Sequence, residues 1–212
     1  MMENYNTIIF DLDGTLINSM DQHYFAWSEI LKDEGIVISQ IQFNKLEGMN
    51  IYELMKRLTK ISDEKKIKLM VANKDKIFIE NYVFKVNPGV EDLLERIKKL
   101  KIQCGIVTAS SKFRIEQTIP LTFRNKFSVI ITSDDKGPGK PDPWPYIQGL
   151  KKLGSNTEKT LVFENAPLGV KSAKAAGLTC IGIGTTVNRL SLKEADYFYS
   201  DFDEFNEVSL KE

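Results

Sequence analysis

Residues 7–15 read TIIFDLDGT, and this stretch decides how we interpret the fold. Its first four residues are apolar or β-favouring, and a short run of this kind predicts a strand buried on both faces. The strand ends in Asp11 and Asp13, and Gly14 then supplies a turn. Two acids at the end of a buried strand are energetically costly unless they are paired.

Two interpretations of this stretch are open from its residues alone. The first is an ordinary turn that uses Asp and Gly for conformational reasons. The second is a site around a cation, in which one acid binds the metal and attacks an electrophile while the other moves a proton. The second interpretation requires partner residues at the ends of later strands.

Composition limits the possible classes of protein. A chain of 212 residues fits one domain, or one domain with a modest insertion. A hydrophobic content of 42% and a charged content of 27% are typical of soluble globular proteins. Lys plus Arg and Asp plus Glu both number 29, so net charge gives no reason to expect nucleic acid or an anionic membrane as a partner.

The cysteines and the start of the chain bear on the location of the protein. Cys104 and Cys180 lie in apolar, strand-like runs and are expected to be buried thiols rather than a disulfide. The start MMENYNT has no basic segment followed by an apolar one, and no apolar run approaches ~18 residues. We therefore expect no membrane span, a cytoplasmic location and, by default, a monomer.

The order of elements predicts an α/β fold. After Pro88-Gly89 and a helix, four strand-like runs occur at 104–108, 128–132, 160–163 and 179–183. Helical patterns centred on 112–119, 145–153 and 168–176 separate them. Strands that alternate with helices predict a parallel, Rossmann-like sheet with helices on both faces.

About 70 residues with only helical patterns separate the first strand from the second. They include a helix within 16–35 and a helix start near Ser62, Asp63 and Glu64. Such an interruption predicts a small all-helical cap domain inserted into the sheet domain. We assign residues 1–17 and 86–212 to the Rossmann-like core and residues 18–85 to the helical cap.

Polar residues follow the predicted strands, at the sheet edge where open parallel sheets bind ligands. Thr108, with Ala109 and Ser110, suits either a phosphate oxygen or simple helix capping. Lys136 and Lys140 lie in the irregular loop SDDKGPGKPDPWPY, where a lysine is ordinarily just solvated. Glu164-Asn165 ends the fourth strand and offers oxygen ligands of the kind that magnesium prefers.

These four segments, in this order, resemble the four motifs of the haloacid dehalogenase-like (HAD) superfamily, mostly magnesium-dependent phosphatases and phosphomutases. The resemblance implies that Asp11 is the nucleophile and Asp13 the general acid/base. It places Thr108 on the phosphoryl group and favours Lys140 over Lys136 as the lysine that neutralises charge. A dehalogenase would not need the second acid, so phosphoryl transfer is favoured.

The same resemblance implies a magnesium site. Asp11, the main-chain carbonyl of Asp13 and Asn165 would hold Mg²⁺, with Glu164 either a direct ligand or one step removed. The family usually has a second acid where this chain has Asn165, which can bind a hard cation but contributes no charge. We also expect the pKa of Asp13 to be raised, because it must donate a proton near neutrality.

The predicted cap suggests the class of substrate. Residues 21–27, DQHYFAW, resemble the cap entry of sugar-phosphate phosphatases and β-phosphoglucomutase-like proteins, in which a histidine faces the active site. His23 is therefore a candidate, although simple packing beside Trp27 is the alternative. The loop at 48–51 lacks the arginine with which the mutases hold a second phosphate, and this favours a phosphatase. Asn50 and Lys74 are further candidates for substrate contact.

Together these features predict a Mg²⁺-dependent phosphatase. It would hydrolyse a small phosphorylated metabolite, a sugar or polyol phosphomonoester, through an aspartyl-phosphate intermediate. The alternatives are a phosphomutase of the β-phosphoglucomutase type and a catalytically weak binding or regulatory relative, the latter suggested by Asn165.

Overall fold

A six-stranded parallel sheet forms the centre of the protein. The computed structural model describes residues 2–44, 46, 49 and 51–209. The strands are β1 (Thr7–Phe10), β2 (Gln103–Val107), β3 (Val129–Ile131), β4 (Thr160–Glu164), β5 (Thr179–Ile183) and β6 (Tyr197–Tyr199). Their spatial order is β3-β2-β1-β4-β5-β6, with every neighbouring pair parallel. The α/β prediction is confirmed.

The sequence did not predict β6. This strand has three residues, lies at the sheet edge and has an exposed first residue, so it lacks the buried apolar run that identified the other strands.

Helices cover the sheet and fill the gap between β1 and β2. Those of the described segments are α1 (Met20–Asp33), α2 (Gln40–Asn44), α3 (Ile51–Thr59), α4 (Glu64–Asn81), α5 (Val90–Lys99), α6 (Lys112–Thr118), α7 (Leu121–Arg124), α8 (Trp144–Leu153), α9 (Pro167–Ala175) and α10 (Phe202–Ser209). The expected helix start near residue 63 is confirmed: Asp63 caps α4 by accepting hydrogen bonds from the main-chain N–H groups of Lys65 and Lys66 at 2.9 and 3.3 Å.

Alternation along β1 divides the core into two layers. Ile8 and Phe10 are fully buried in a cluster that includes residues of α5, α6 and α10. Ile9 points to the opposite face and is buried among residues of α8 and α9. The sheet is therefore covered on both faces, as a parallel sheet requires.

The strand register places the predicted site residues at one edge. Phe10 pairs with Ile106 of β2 and with Phe163 of β4. The residues that follow these three strands therefore emerge side by side. Because β1 is central, Asp11 has segments of the site on both sides.

Helices α1, α3 and α4 share a hydrophobic core of their own, which contains Trp27, Leu31, Met55, Ile67 and Met70. Not every apolar residue of these helices belongs to this core. Leu69 is 61% exposed, because the buried stripe of α4 runs along the face that packs against α1 and α3.

Two adjacent linkers join the helical segment to the sheet. Ile17 and Val86 form an antiparallel bridge, and the N–H of Asn18 donates to the carbonyl of Lys85 at 2.8 Å. Just beyond, the Asn87 amide donates to the carbonyls of Gly14 and Thr15 at 2.9 and 2.7 Å. This pairing and the separate core support the boundaries at 17/18 and 85/86, which stay a prediction.

The two cysteines are free and buried, Cys104 in β2 and Cys180 in β5, as expected. None of the helices in the described segments combines the length and the hydrophobicity that a membrane crossing requires.

Candidate active site

A cavity of about 70 Å³ lies at the carboxyl edge of the sheet, between the core and helices α1 and α4. The predicted site residues that line it are Asp11, Asp13, Thr108 and Ala109 from the core and His23 and Lys74 from the helical segment. The helical segment therefore closes over the strand ends. Asn50, also predicted to contact substrate, lies outside the described residues.

Lys140 links Asp11, which lines the cavity, to the buried Glu164. Its Nζ donates to Asp11 Oδ1 at 2.7 Å, to Glu164 Oε1 at 2.6 Å and to the carbonyl of Val107 at 3.0 Å. All three ammonium protons are thus used. Lys136, the other lysine of this loop, is exposed. The structure therefore places Lys140, not Lys136, beside the predicted nucleophile.

Both oxygens of Glu164 are held by protein donors. Oε1 also accepts from the buried Tyr146 hydroxyl at 2.8 Å, and Oε2 accepts from the Ala166 N–H at 3.1 Å. The side chain is fully buried. Of the two predicted roles, this geometry favours the one in which Glu164 acts through Lys140 rather than as a direct metal ligand.

Asp11 is 6% exposed, and its Oδ2 has no hydrogen-bond partner in the part of the chain that the structure describes. Burial, together with the charge of Glu164, raises the pKa of Asp11 to about 7, against the opposing effect of Lys140. Burial lowers the pKa of Lys140, but Asp11 and Glu164 outweigh it, so this pKa lies above its ordinary value. A further cation beside Asp11 would relieve the excess of buried negative charge.

The segment after β2 is only partly arranged as expected. Thr108 and Ala109 line the cavity, and the Ala109 N–H donates no hydrogen bond within the described segments. The Ser110 N–H, however, donates to Thr108 Oγ1 at 3.0 Å, and the Ser110 hydroxyl donates to Asp13. Helix capping, the alternative role for this segment, belongs to Ser111, which caps α6. Thr108 and Ala109 can thus receive a phosphate, whereas the N–H and hydroxyl groups of Ser110 already donate hydrogen bonds within the protein.

Asp13 is surrounded by donors. Oδ1 accepts from Ser19 Oγ at 2.7 Å and lies 3.0 Å from His23 Nε2, while Oδ2 accepts from Ser110 Oγ and from Arg114 Nη2, the latter at 3.2 Å. Burial raises the pKa of Asp13, but His23, Arg114 and Ser110 outweigh it, so this pKa is well below its ordinary value. The prediction of a raised pKa is wrong for this structure, because it did not include these donors.

His23 connects Asp13 to a buried lysine. Its ring stacks on Phe78, with centroids 4.0 Å apart, and Nδ1 lies 3.1 Å from the Nζ of the fully buried Lys74. Because the ionised carboxylate of Asp13 can only accept, Nε2 carries the ring proton and donates to Asp13, which leaves Nδ1 to accept from Lys74. Burial and the charge of Lys74 lower the pKa of His23 to about 3, so the ring is neutral.

Lys74 is itself a perturbed base. Burial and the neighbouring charge of Arg114 lower the pKa of Lys74 to about 7. The sequence contains a signal for this position: Lys74 continues the stripe of Ile67, Met70 and Val71, where helical periodicity expects an apolar residue.

Arg114 was not among the residues predicted for the site. This residue lies on α6, is 8% exposed and lines the cavity. It follows exposed Phe113 and precedes buried Ile115, so nothing in the pattern of the short helix marks it as different from a solvated arginine.

The oxygen atoms of Asp11 and of the other predicted ligands are of the kind that a hard cation prefers, with fewer carboxylates than predicted. Asn165 Oδ1 accepts from Thr15 Oγ1 at 2.6 Å, and Nδ2 donates to Thr186 Oγ1 at 2.9 Å. In the described segments, no three acidic, histidine or cysteine side chains are grouped to hold a metal. Magnesium is commonly bound by one or two carboxylates, waters and substrate phosphate, and Asp11 with the amide and carbonyl oxygens fits that pattern.

The chain is similar to known phosphatases over most of its length. It is 29% identical to validoxylamine A 7'-phosphate phosphatase of Streptomyces hygroscopicus subsp. limoneus, over 94% of this chain and 95% of that protein. It is 31% identical to 2-deoxyglucose-6-phosphate phosphatase 2 of Saccharomyces cerevisiae, over 96% and 91%.

Among solved structures, β-phosphoglucomutase of Clostridium difficile superposes with a TM-score of 0.85 at 25% identity, covering 98% of this chain and 96% of the other. The model of the haloacid dehalogenase-like hydrolases matches residues 8–183, which include all the predicted site residues. As its motifs predicted, the chain belongs to the haloacid dehalogenase-like hydrolase family.

Proposed function

We propose that this protein is a Mg²⁺-dependent phosphatase that hydrolyses a small sugar or polyol phosphomonoester through an aspartyl-phosphate on Asp11. One observation carries the proposal: Lys140 holds Asp11 by Oδ1 while Oδ2 has no protein partner among the described residues. The names of the two phosphatases reported above support phosphate esters of sugars or sugar-like alcohols as substrates.

Asp11 is the nucleophile in this proposal. Its Oδ2 attacks phosphorus, and Lys140 keeps the carboxylate oriented while lowering its repulsion of the phosphate. Thr108 and the Ala109 N–H receive phosphoryl oxygens. Asp11, the carbonyl of Asp13 and Asn165 would hold magnesium, which when bound supplies positive charge to the phosphoryl oxygens.

Asp13 moves the protons. It donates one to the departing alkoxide oxygen and then takes one from the water that attacks the aspartyl-phosphate. The low pKa of Asp13 describes the site without substrate. A bound phosphate places negative charge beside this carboxylate, so we expect its pKa to rise upon binding.

A phosphate-release assay against a panel of sugar and polyol phosphates tests the proposal. Asp11→Asn should reduce turnover by at least about 10³-fold, because it removes the nucleophile. Asp33→Asn, the same change at an exposed carboxylate at the end of α1, should leave turnover unchanged. Retained turnover in the Asp11→Asn variant would refute the mechanism.

The similarity to β-phosphoglucomutase keeps a phosphomutase as the second candidate. Phosphorus NMR of the same reactions separates the two functions, because a mutase interconverts sugar phosphates without releasing inorganic phosphate. A protein that releases no phosphate, isomerises nothing and is not stabilised by magnesium would instead be the weak binding relative.

A further inference from the structure

Arg114 contacts both the core and the helical segment. It belongs to α6 of the core, where Nη2 lies 3.2 Å from Asp13 Oδ2 and also donates to Ser110 Oγ. Its other terminal nitrogen, Nη1, lies 3.5 Å from Asp75 Oδ1 on α4. One guanidinium therefore joins the predicted acid/base to a carboxylate of the helical segment.

The α4 side of this contact is also well defined. The Arg114 guanidinium lies over the Phe78 ring, 5.4 Å from its centroid, and the same ring stacks on His23. Asp75 is next to Lys74, whose Nζ is 3.3 Å from Asp75 Oδ1. Asp75 and Phe78, one turn apart on α4, thus both contact the Arg114 guanidinium.

Each oxygen of Asp13 is controlled by different partners. Ser19 and His23 hold Oδ1, while Ser110 and Arg114 hold Oδ2. Loss of the Arg114 contact would leave the orientation of Oδ2 to the Ser110 hydroxyl alone. An arginine suits this position because its planar fork offers separate nitrogens to two acceptors, which a lysine cannot do.

We propose that Arg114 is a positioning residue that orients Asp13 for proton transfer while α4 is seated on the core, and that Asp75 acts through it. The inference rests on the proposed function for its kinetic test. Because Asp75 reaches Asp13 through Arg114, the effects of changing these two residues must be non-additive.

The kinetic test compares Arg114→Gln, Asp75→Asn and the double variant on a phosphate ester that the unmodified enzyme hydrolyses. Displacement of a catalytic group can reduce rates by about 10²-fold, so we expect Arg114→Gln to lower kcat 10- to 100-fold, with KM changed less than threefold. Asp75→Asn should lower kcat less, and the double variant should match Arg114→Gln. Additive losses, or an effect on KM alone, would overturn the proposal.

Two matched variants sharpen this comparison. Arg114→Lys keeps one positive charge but cannot serve both carboxylates, so it should respond to Asp75→Asn as little as Arg114→Gln does. Arg57→Gln, at an exposed arginine of α3, should behave like the unmodified enzyme. Asp75→Asn alone keeps the test decisive if the buried Arg114 variants do not fold, since an unchanged kcat in that variant contradicts the proposal.

A second readout does not depend on turnover. Trp27 is 2% exposed and lines the cavity, and the chain has only one other tryptophan, Trp144. In a Trp144→Phe background, acrylamide quenching of Trp27 should increase equally in Arg114→Gln, Asp75→Asn and the double variant, as α4 separates from the core. Unchanged quenching would overturn the proposal even if no ester were hydrolysed, whereas absence of hydrolysis alone would count only against the proposed function.

Discussion

Asp11 and Asp13 are two residues apart and line the same cavity, yet their environments act on them in opposite directions. Burial raises the pKa of Asp11 to about 7, against a single lysine that Asp11 shares with Glu164. Burial raises the pKa of Asp13 too, but His23, Arg114 and Ser110 outweigh it and lower this pKa. The number and charge of the partners, not burial, separate the two carboxylates.

The partners of the two carboxylates also come from different parts of the chain. Asp11 is held by Lys140, a residue of the core, and its neighbourhood is therefore complete without the helical segment. Asp13 is held by Ser110 and Arg114 from the core and by His23 from α1. We infer that the core alone sets the arrangement of Asp11, whereas the arrangement of Asp13 also requires the helical segment.

Removal of Lys140 should have the largest effect and would test the first half of this comparison. Lys140→Met leaves the buried Asp11 and Glu164 without their shared cation, and breaking such a pair costs about 3–5 kcal/mol. We expect this loss in the free energy of urea unfolding, together with loss of phosphate release. Lys136→Met, at the exposed lysine of the same loop, is the control, and equal stability of the two variants would contradict the pairing.

The pH dependence of stability tests the opposite shifts directly. Folded Asp11 keeps its proton up to about pH 7, whereas the unfolded carboxyl, with a pKa of 3.8, has already lost it. The native state therefore binds more protons in this window, so this contribution to stability falls as the pH rises. From pH 5 to pH 7, the unfolding free energy of Asp11→Asn minus that of wild type should increase by about 2 kcal/mol, measured in EDTA.

His23 should give the opposite slope. Its folded pKa of about 3 lies below the unfolded value of 6.5, so the native state binds fewer protons and this contribution rises with pH. The corresponding difference for His23→Gln should therefore decrease over the same window. If the differences for both variants changed in the same direction, the contrast between the two environments would be refuted.

The smallest effect is expected at Asn165. Asn165→Asp adds a carboxylate to the proposed metal site, so we expect magnesium to bind about tenfold more tightly, equivalent to ~1.4 kcal/mol. In EDTA the same variant should lose ~1 kcal/mol of stability, because it can no longer donate to Thr186. Thermal unfolding with a magnesium titration measures both, and Asn125→Asp at an exposed position should show neither. Unchanged magnesium affinity would remove Asn165 from the site.

The sequence was sufficient to predict the cluster of Asp11, Lys140 and Glu164 beside the cavity. Asp11 follows β1, Glu164 is the last residue of β4 and Lys140 precedes α8, and in a parallel sheet strand ends converge by topology alone. The contact between Arg114 of the core and Asp75 of the helical segment could not be predicted in the same way. Arg114 and Asp75 meet because α4 packs beside α6. Arginine and aspartate are both ordinary surface residues, so no local sequence pattern predicts their contact. The prediction that the pKa of Asp13 is raised was wrong for the same reason, because Arg114 helps to lower this pKa.

Because the two linkers pair with each other, the length of the helical insertion does not affect the turn that contains Asp11 and Asp13. Ile17 and Val86 meet across a bridge, and Asn87 fastens the returning chain to Gly14 and Thr15. The two ends of the insertion are thus joined at its base, so its length does not loosen the turn that contains Asp11 and Asp13. A shorter or longer insertion could be exchanged at this junction, and Asn87 would be the residue to retain.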